Sequence, residues 1–266
     1  MERARFSDSR PTVGSILNAA FELYGRQARG AWSIAAITAI PAQVLIWIMV
    51  RVSLPSDAQA RHGDIYGHGG VALPTVAITL LGFLAGALAL AALSRLLIQG
   101  YTRRQTSWDE SLAFASTHFA TVLVLSVTML AGLILGFALF LVPGIFLAGA
   151  WAAALPALMF ERVKPLDALR RSFELVRGIW FEVFGVLVIC LLIIVGVSFL
   201  IDLALTGPQS SSSIDVILTL QGIARALAAI LTYPLLAAIS VVIYAELRAY
   251  KEGVHPESLM PGPAAA

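Results

Sequence analysis

An all-α bundle of six membrane-crossing helices is the fold class this sequence predicts, and three observations predict it. Six long apolar stretches occupy about 32–54, 73–99, 117–142, 144–161, 179–205 and 226–247. A helix needs roughly 20 mostly apolar residues to cross a bilayer core, and these runs reach or approach that length. Hydrophobic residues make up 59% of the chain and charged residues only 13%. Finally, the basic residues between the stretches pile up on one side, as they do in multi-pass proteins.

The chain is read as one membrane domain over 1–266, with little length left for a soluble one. The first stretch begins only at Trp32 and is long for a signal sequence. It therefore reads as a span despite the Ala58-Gln59-Ala60 site that follows it. Before it stand Arg3, Arg5, Arg10, Arg26 and Arg29, while Arg95, Arg103 and Arg104 lie around the second loop on that side. Arg162, Lys164, Arg170, Arg171 and Arg177 separate the fourth and fifth stretches, and Arg248 and Lys251 follow the sixth. Only Arg51, Arg61 and Arg225 of the 18 basic residues fall on the other side. The positive-inside rule then puts both termini in the cytoplasm, as an even number of spans requires. The localisation expected is the plasma (inner) membrane of a prokaryote. Val142-Pro143-Gly144 is expected to make the tight outer turn between spans three and four.

The linkers carry helices of their own. Over 12–29 a helical face collects Val13, Ile16, Leu17, Ala20, Phe21 and Tyr24. Over 165–178 it collects Leu166, Leu169, Phe173 and Val176, opposite Asp167, Arg170, Arg171, Glu174 and Arg177. Pro165 suits a first helical position and Gly178 a C-terminal cap. Helices apolar on one side and basic on the other lie in the interface plane. Phe21-Glu22-Leu23 and Phe173-Glu174-Leu175 repeat one another, and Ser107–Phe114 is a weaker third copy. The chain thus reads as three hairpin units, each preceded by a cytoplasmic amphipathic segment.

At this point the residues resemble a family. The stretch 141–189 is similar to the signature region of the glycerophosphoryl diester phosphodiesterase membrane-domain proteins. The similarity rests on Pro143-Gly144, Trp151 to Pro156, Glu161 and Ala168-Leu169-Arg170-Arg171-Ser172, with Leu175, Gly178 and Trp180. Ile16-Leu17, Phe21-Glu22-Leu23-Tyr24 and Tyr244-Ala245-Glu246-Leu247-Arg248 with Glu252-Gly253 extend it. The resemblance implies a stand-alone membrane module. It does not transfer phosphodiesterase activity, which in the named enzymes belongs to a separate soluble barrel.

Chemistry-bearing motifs are sparse. No triad, phosphate loop or cofactor motif stands out, so no catalytic, cofactor-binding or metal residue is assigned. His62, Asp64 and His68 share a Gly-rich outer loop that reads as a loop rather than a metal site. A net charge of +2 gives no nucleic-acid surface. Arg170, Arg171 and Arg177 are the candidate contacts to anionic lipid headgroups or to a protein partner. Gly82 with Gly86, and Gly132 with Gly136, have the spacing that lets helix backbones approach closely. Asp202 with Arg225, and Arg95 with Glu161 or Glu246, are candidate intramembrane ion pairs. The function expected is a non-enzymatic membrane scaffold or accessory module. The alternative is a small-molecule or lipid transporter with a cavity between the repeats.

Overall fold

Residues 10–53, 72–101, 107–206 and 214–253 are described in the computed structural model of the chain. They form α1 (Val13–Ser53), α2 (Ala72–Tyr101), α3 (Trp108–Thr117), α4 (Phe119–Leu139), α5 (Leu141–Ala150), α6 (Ala154–Glu161), α7 (Pro165–Val176), α8 (Trp180–Thr206) and α9 (Ile214–Glu252). Six helical stretches are long and apolar enough to cross a membrane: Val13–Val52, Val76–Gly100, Phe119–Leu139, Leu141–Glu161, Trp180–Leu205 and Val216–Glu252. The chain is an all-α, multi-pass membrane protein. Each hairpin partner lies beside its mate, α1 with α2, α4 with α5, and α8 with α9.

The most extensive packing joins the first helix to the last. Ala31, Ala35, Ala39 and Ala42 form one stripe on α1, at the i, i+4 and i, i+3 spacings that keep side chains on one helical face. Ala237, Ala238 and Ala245 of α9 and Ala87, Ala89, Ala91 and Ala92 of α2 are buried alongside. Larger residues fill the space between, chiefly Ile34, Leu93, Leu97, Ile239, Ile243 and Tyr244. Around this centre α4 and α8 turn mostly to lipid. Val124, Val127, Leu130, Ile134, Leu135, Leu191, Leu192, Val195, Phe199 and Leu203 are all exposed. Exposed leucine needs no burial here, since lipid tails are as apolar as leucine.

Three expectations change. The amphipathic segment 12–29 is not a separate surface helix but the first turns of α1, which runs unbroken for 41 residues. At 1.5 Å per residue that is about 60 Å, twice a bilayer core. Gly30 does not end it. A Cβ there would lie 3.2 Å from Leu96 Cδ2, so this glycine admits α2.

The turn between the third and fourth spans sits at Phe140, whose backbone is extended (φ −164°, ψ 158°). Pro143 and Gly144 lie in the first turn of α5, where the missing proline N–H would be unpaired in any case. A Cβ on Gly144 would run into the Phe137 ring, so the residue is kept small for α4 to approach.

The fourth span is also interrupted, at residues 151–153 between α5 and α6. Pro156 has no N–H to offer Ala152 four residues back, and the hydroxyl of Ser240 on α9 donates to that carbonyl instead, at 2.6 Å. Ser172 of α7 serves the same break twice. It accepts from the Ala153 N–H at 3.1 Å and donates to the Ala150 carbonyl at 2.8 Å. Irregular backbone survives at membrane depth only when protein supplies such partners.

The glycine motifs divide. A Cβ on Gly136 would come within 3.0 Å of Gly144 Cα, a true backbone approach, and one on Gly132 would meet the Trp151 indole. Gly82 and Gly86 hold no such contact. Their nearest neighbours are Ile46 Cδ1 at 4.0 Å and the Tyr233 hydroxyl at 3.5 Å. The close seam that this pair was expected to make is instead built from alanine.

Substitutions should separate the two pairs. Gly136→Leu is expected to destabilise by about 1–3 kcal/mol, since the facing atoms are backbone and cannot rotate away. Gly82→Ala should be neutral or raise stability by up to about 1 kcal/mol, through helix propensity. Thermal melts of the two variants in the same detergent make the comparison, and equal melting temperatures would contradict it.

Candidate functional site at the basic end of the bundle

The amphipathic helix α7 is placed by its two ends. Lys164 is extended, Pro165 takes the first helical position and Asp167 lies in the first turn, beside the positive end of the helix dipole. At the other end Gly178 adopts φ +92°, a conformation that side chains disfavour. The Lys251 ammonium of α9 donates to the carbonyls of Glu174 (2.7 Å) and Arg177 (2.6 Å), satisfying oxygens that the helix end leaves free.

Around its axis α7 presents three surfaces. Ala168, Leu169, Ser172, Leu175 and Val176 are buried against the bundle. Leu166 and Phe173 stand exposed on one flank. Arg170, Glu174 and Arg177 face outward, with Arg170 81% exposed and paired to Glu174 at 3.1 Å. The Phe-Glu-Leu repeat behaves alike in both copies. Phe21 and Phe173 are exposed while Leu23 and Leu175 are buried, and so are Ala20 and Ser172, one position before each Phe.

Arg171 does not join the outward face. It turns inward, and its Nε donates to both Glu161 oxygens at 2.9 and 3.0 Å. Its Nη2 lies 2.5 Å from Glu252. Glu252 accepts from Arg248 Nε at 3.0 Å, Arg248 Nη1 donates to the Tyr244 hydroxyl, and that hydroxyl donates to Glu161, each at 2.9 Å. These five side chains close a ring that fastens α6, α7 and α9. Two arginines balance two glutamates, so the ring is neutral and its charged groups satisfy one another. Burial works to lower the Arg171 pKa, but the hydrogen bonds and charges of Glu161 and Glu252 outweigh it and hold the guanidinium above its ordinary value.

The expected pairs resolve differently. Glu161 pairs with Arg171, not with Arg95. Glu246 reaches Ser15 of α1. Arg95 lies with its guanidinium 3.5 Å from the centre of the Phe114 ring. Asp202 and Arg225 are exposed and not joined to one another. Arg225 has no ion pair among the described residues, and Asp202 is engaged elsewhere. A pair not foreseen is Arg10 with Glu182 at 2.6 Å, which ties the chain before α1 to the start of α8. His62, Asp64, His68 and the Ala58–Ala60 site lie outside the described residues. Among the described residues no group of three or more His, Cys, Asp or Glu gathers as metal ligands would.

Reading Tyr244, Arg248 and Glu252 as an i, i+4, i+8 row would have put all three on one face of α9, and that was the available signal for the ring. Their partners 161 and 171 lie too far along the chain for any spacing rule to reach.

Models of known protein families, curated proteins and solved structures return no match to this chain. The likeness of 141–189 to the phosphodiesterase membrane domains therefore rests on the motifs alone.

Two variants measure the site's structural worth. Ser172→Ala leaves the Ala153 N–H and the Ala150 carbonyl without a partner in a buried setting, an expected loss of about 1–3 kcal/mol. Arg171→Gln should cost as much, and a double-mutant cycle with Glu161→Gln should give a coupling of about 0.5–3 kcal/mol. Additive losses across that cycle would deny the ring its role.

Proposed function

We propose that the chain is a non-enzymatic membrane module that engages anionic lipid through the outward face of α7. The observation that carries this reading is the division of α7 into a buried stripe, an exposed apolar flank of Leu166 and Phe173, and an outward basic edge of Arg170 and Arg177. A helix seated in the protein with an apolar flank and a basic edge exposed is suited to the boundary between acyl chains and headgroups. The ring beside it supports the same reading, because its acids and bases are spent on one another. The interrupted fourth span is the feature that would favour transport. Its freed backbone groups are taken by Ser172 and Ser240, which favours bracing instead.

In this reading the basic end faces the cytoplasm of a prokaryotic cell, with the chain in the plasma membrane, as the distribution of arginine and lysine implies. Arg170 is exposed, so Arg170→Cys is a suitable probe. It should react with an impermeant reagent only from the cytoplasmic side. Labelling from outside intact cells reverses the orientation.

Juxtamembrane basic residues contribute about 1 kcal/mol each near an anionic surface. The double variant Arg170→Gln, Arg177→Gln should therefore bring down less anionic lipid from mild detergent while keeping its melting temperature. Unchanged lipid content in the folded variant would leave α7 with a bracing role alone.

A further inference from the structure

The turn between α4 and α5 has the wrong surface for water. Leu139, Phe140, Leu141 and Val142 are 65%, 74%, 67% and 75% exposed, and they follow one another along the chain. No charged residue occurs from Phe119 to Phe160, and no Ser, Thr, Asn or Gln from Met129 to Phe160. The other two turns expected on that side differ. Residues 54–71 include Asp57, Arg61 and Asp64, and residues 207–213 are Gly, Pro, Gln and serines. Those are the residue types that turns in water use.

The hairpin is also short. The Ser240 hydroxyl of α9 meets the Ala152 carbonyl at 2.6 Å, and Tyr244 and Arg248 meet Glu161. α9 and the fourth apolar stretch therefore run the same way and share a level at Ser240 and Ala152. From Ala152 back to Phe140 is about 18 Å of helix, and from Ser240 back to Ile214 about 39 Å, at 1.5 Å per residue. The tip thus stops about 20 Å before the far end of α9. Arg225, the first charge met outward along α9 from Ser240, lies further out than the tip, at about 22 Å.

Backbone without partners is costly in lipid, and little of it is left at this turn. A helix start leaves four N–H groups free. At the start of α5 the Phe140 N–H donates to the Gly136 carbonyl at 3.1 Å and Pro143 has none, so Leu141 and Val142 carry the remainder. The close approach of Gly136 to Gly144 keeps the two helices together up to the turn.

We propose that the α4–α5 hairpin is re-entrant: it enters the bilayer from the basic side, turns at Phe140 among acyl chains and returns without reaching water. The partner of its tip is lipid hydrocarbon, and four of the six apolar stretches cross.

The test uses the full chain with its single native thiol removed by Cys190→Ala. Single cysteines are placed by Phe140→Cys, by Ser210→Cys in the polar loop and by Arg170→Cys on α7. An impermeant maleimide, applied to intact and to opened cells, should label the second and third from opposite sides and Phe140→Cys from neither. A nitroxide attached in detergent to Phe140→Cys, after reconstitution into liposomes, should be relaxed strongly by oxygen, which concentrates in hydrocarbon, and weakly by a water-soluble nickel complex. Where Phe140→Cys lowers the melting temperature, the equally exposed Val142→Cys replaces it. Labelling of the tip by the impermeant reagent, or strong relaxation by nickel, puts the turn in water and overturns the proposal. Weak relaxation by both agents puts protein over the turn and overturns it too. The result reads the same whichever side each control labels from, so it is separate from the orientation proposed above.

Discussion

Close packing of small side chains between α1, α2 and α9 is the condition on which the other helices depend. In lipid there is no hydrophobic gain from bringing two apolar helices together, so association rests on van der Waals contact at short range. Alanine shortens that range while keeping helix propensity at its highest. The stripe Ala31, Ala35, Ala39 and Ala42 meets the alanine-rich faces of α2 and α9, and the bulky residues between them interlock. The α4–α5 hairpin and α8 attach to this centre through fewer contacts, and their exposed leucine, valine and phenylalanine faces belong to the bilayer.

The second constraint is the peptide group. Breaking a span at 151–153 frees donors and acceptors where water is scarce, and two serines from distant helices answer them. The same three hydrogen bonds fix α7 and α9 against the fourth span. A proline that interrupts one helix therefore sets the position of two others. The closed ring of Glu161, Arg171, Glu252, Arg248 and Tyr244 then holds the three at their basic ends. Such a ring is costly to break singly, because removing one partner leaves the next unpaired.

The six spans were legible because hydropathy and length speak for themselves, and the amphipathic segments because periodicity does. Gly178 was legible as a cap, since its left-handed backbone suits glycine. Other features depend on long-range contacts that no local pattern encodes. Nothing near Arg171 in sequence says that it turns inward, because its partners are ten and eighty-one positions away. The glycine pairs 82/86 and 132/136 look alike in sequence, yet only the second faces backbone and an indole. The alanine stripe carries the same small-residue spacing, and it was the more telling instance of that rule.

The pairing of the first helix with the last has a consequence for how the protein is made. α1 ends at Ser53 and its main partner begins at Ile214. Chains grow at about 5–20 residues per second, so α1 waits roughly ten to thirty seconds before α9 exists. During that time its inner face meets lipid or the insertion machinery. The face is suited to waiting. Its buried polar residue, Thr38, donates to the Ile34 and Ala35 carbonyls of its own helix and needs no other chain segment. Ser94 of α2 and Thr232 of α9 bond within their own helices in the same manner. These three buried hydroxyls in the seam are thus ones that each helix can carry alone into the bilayer.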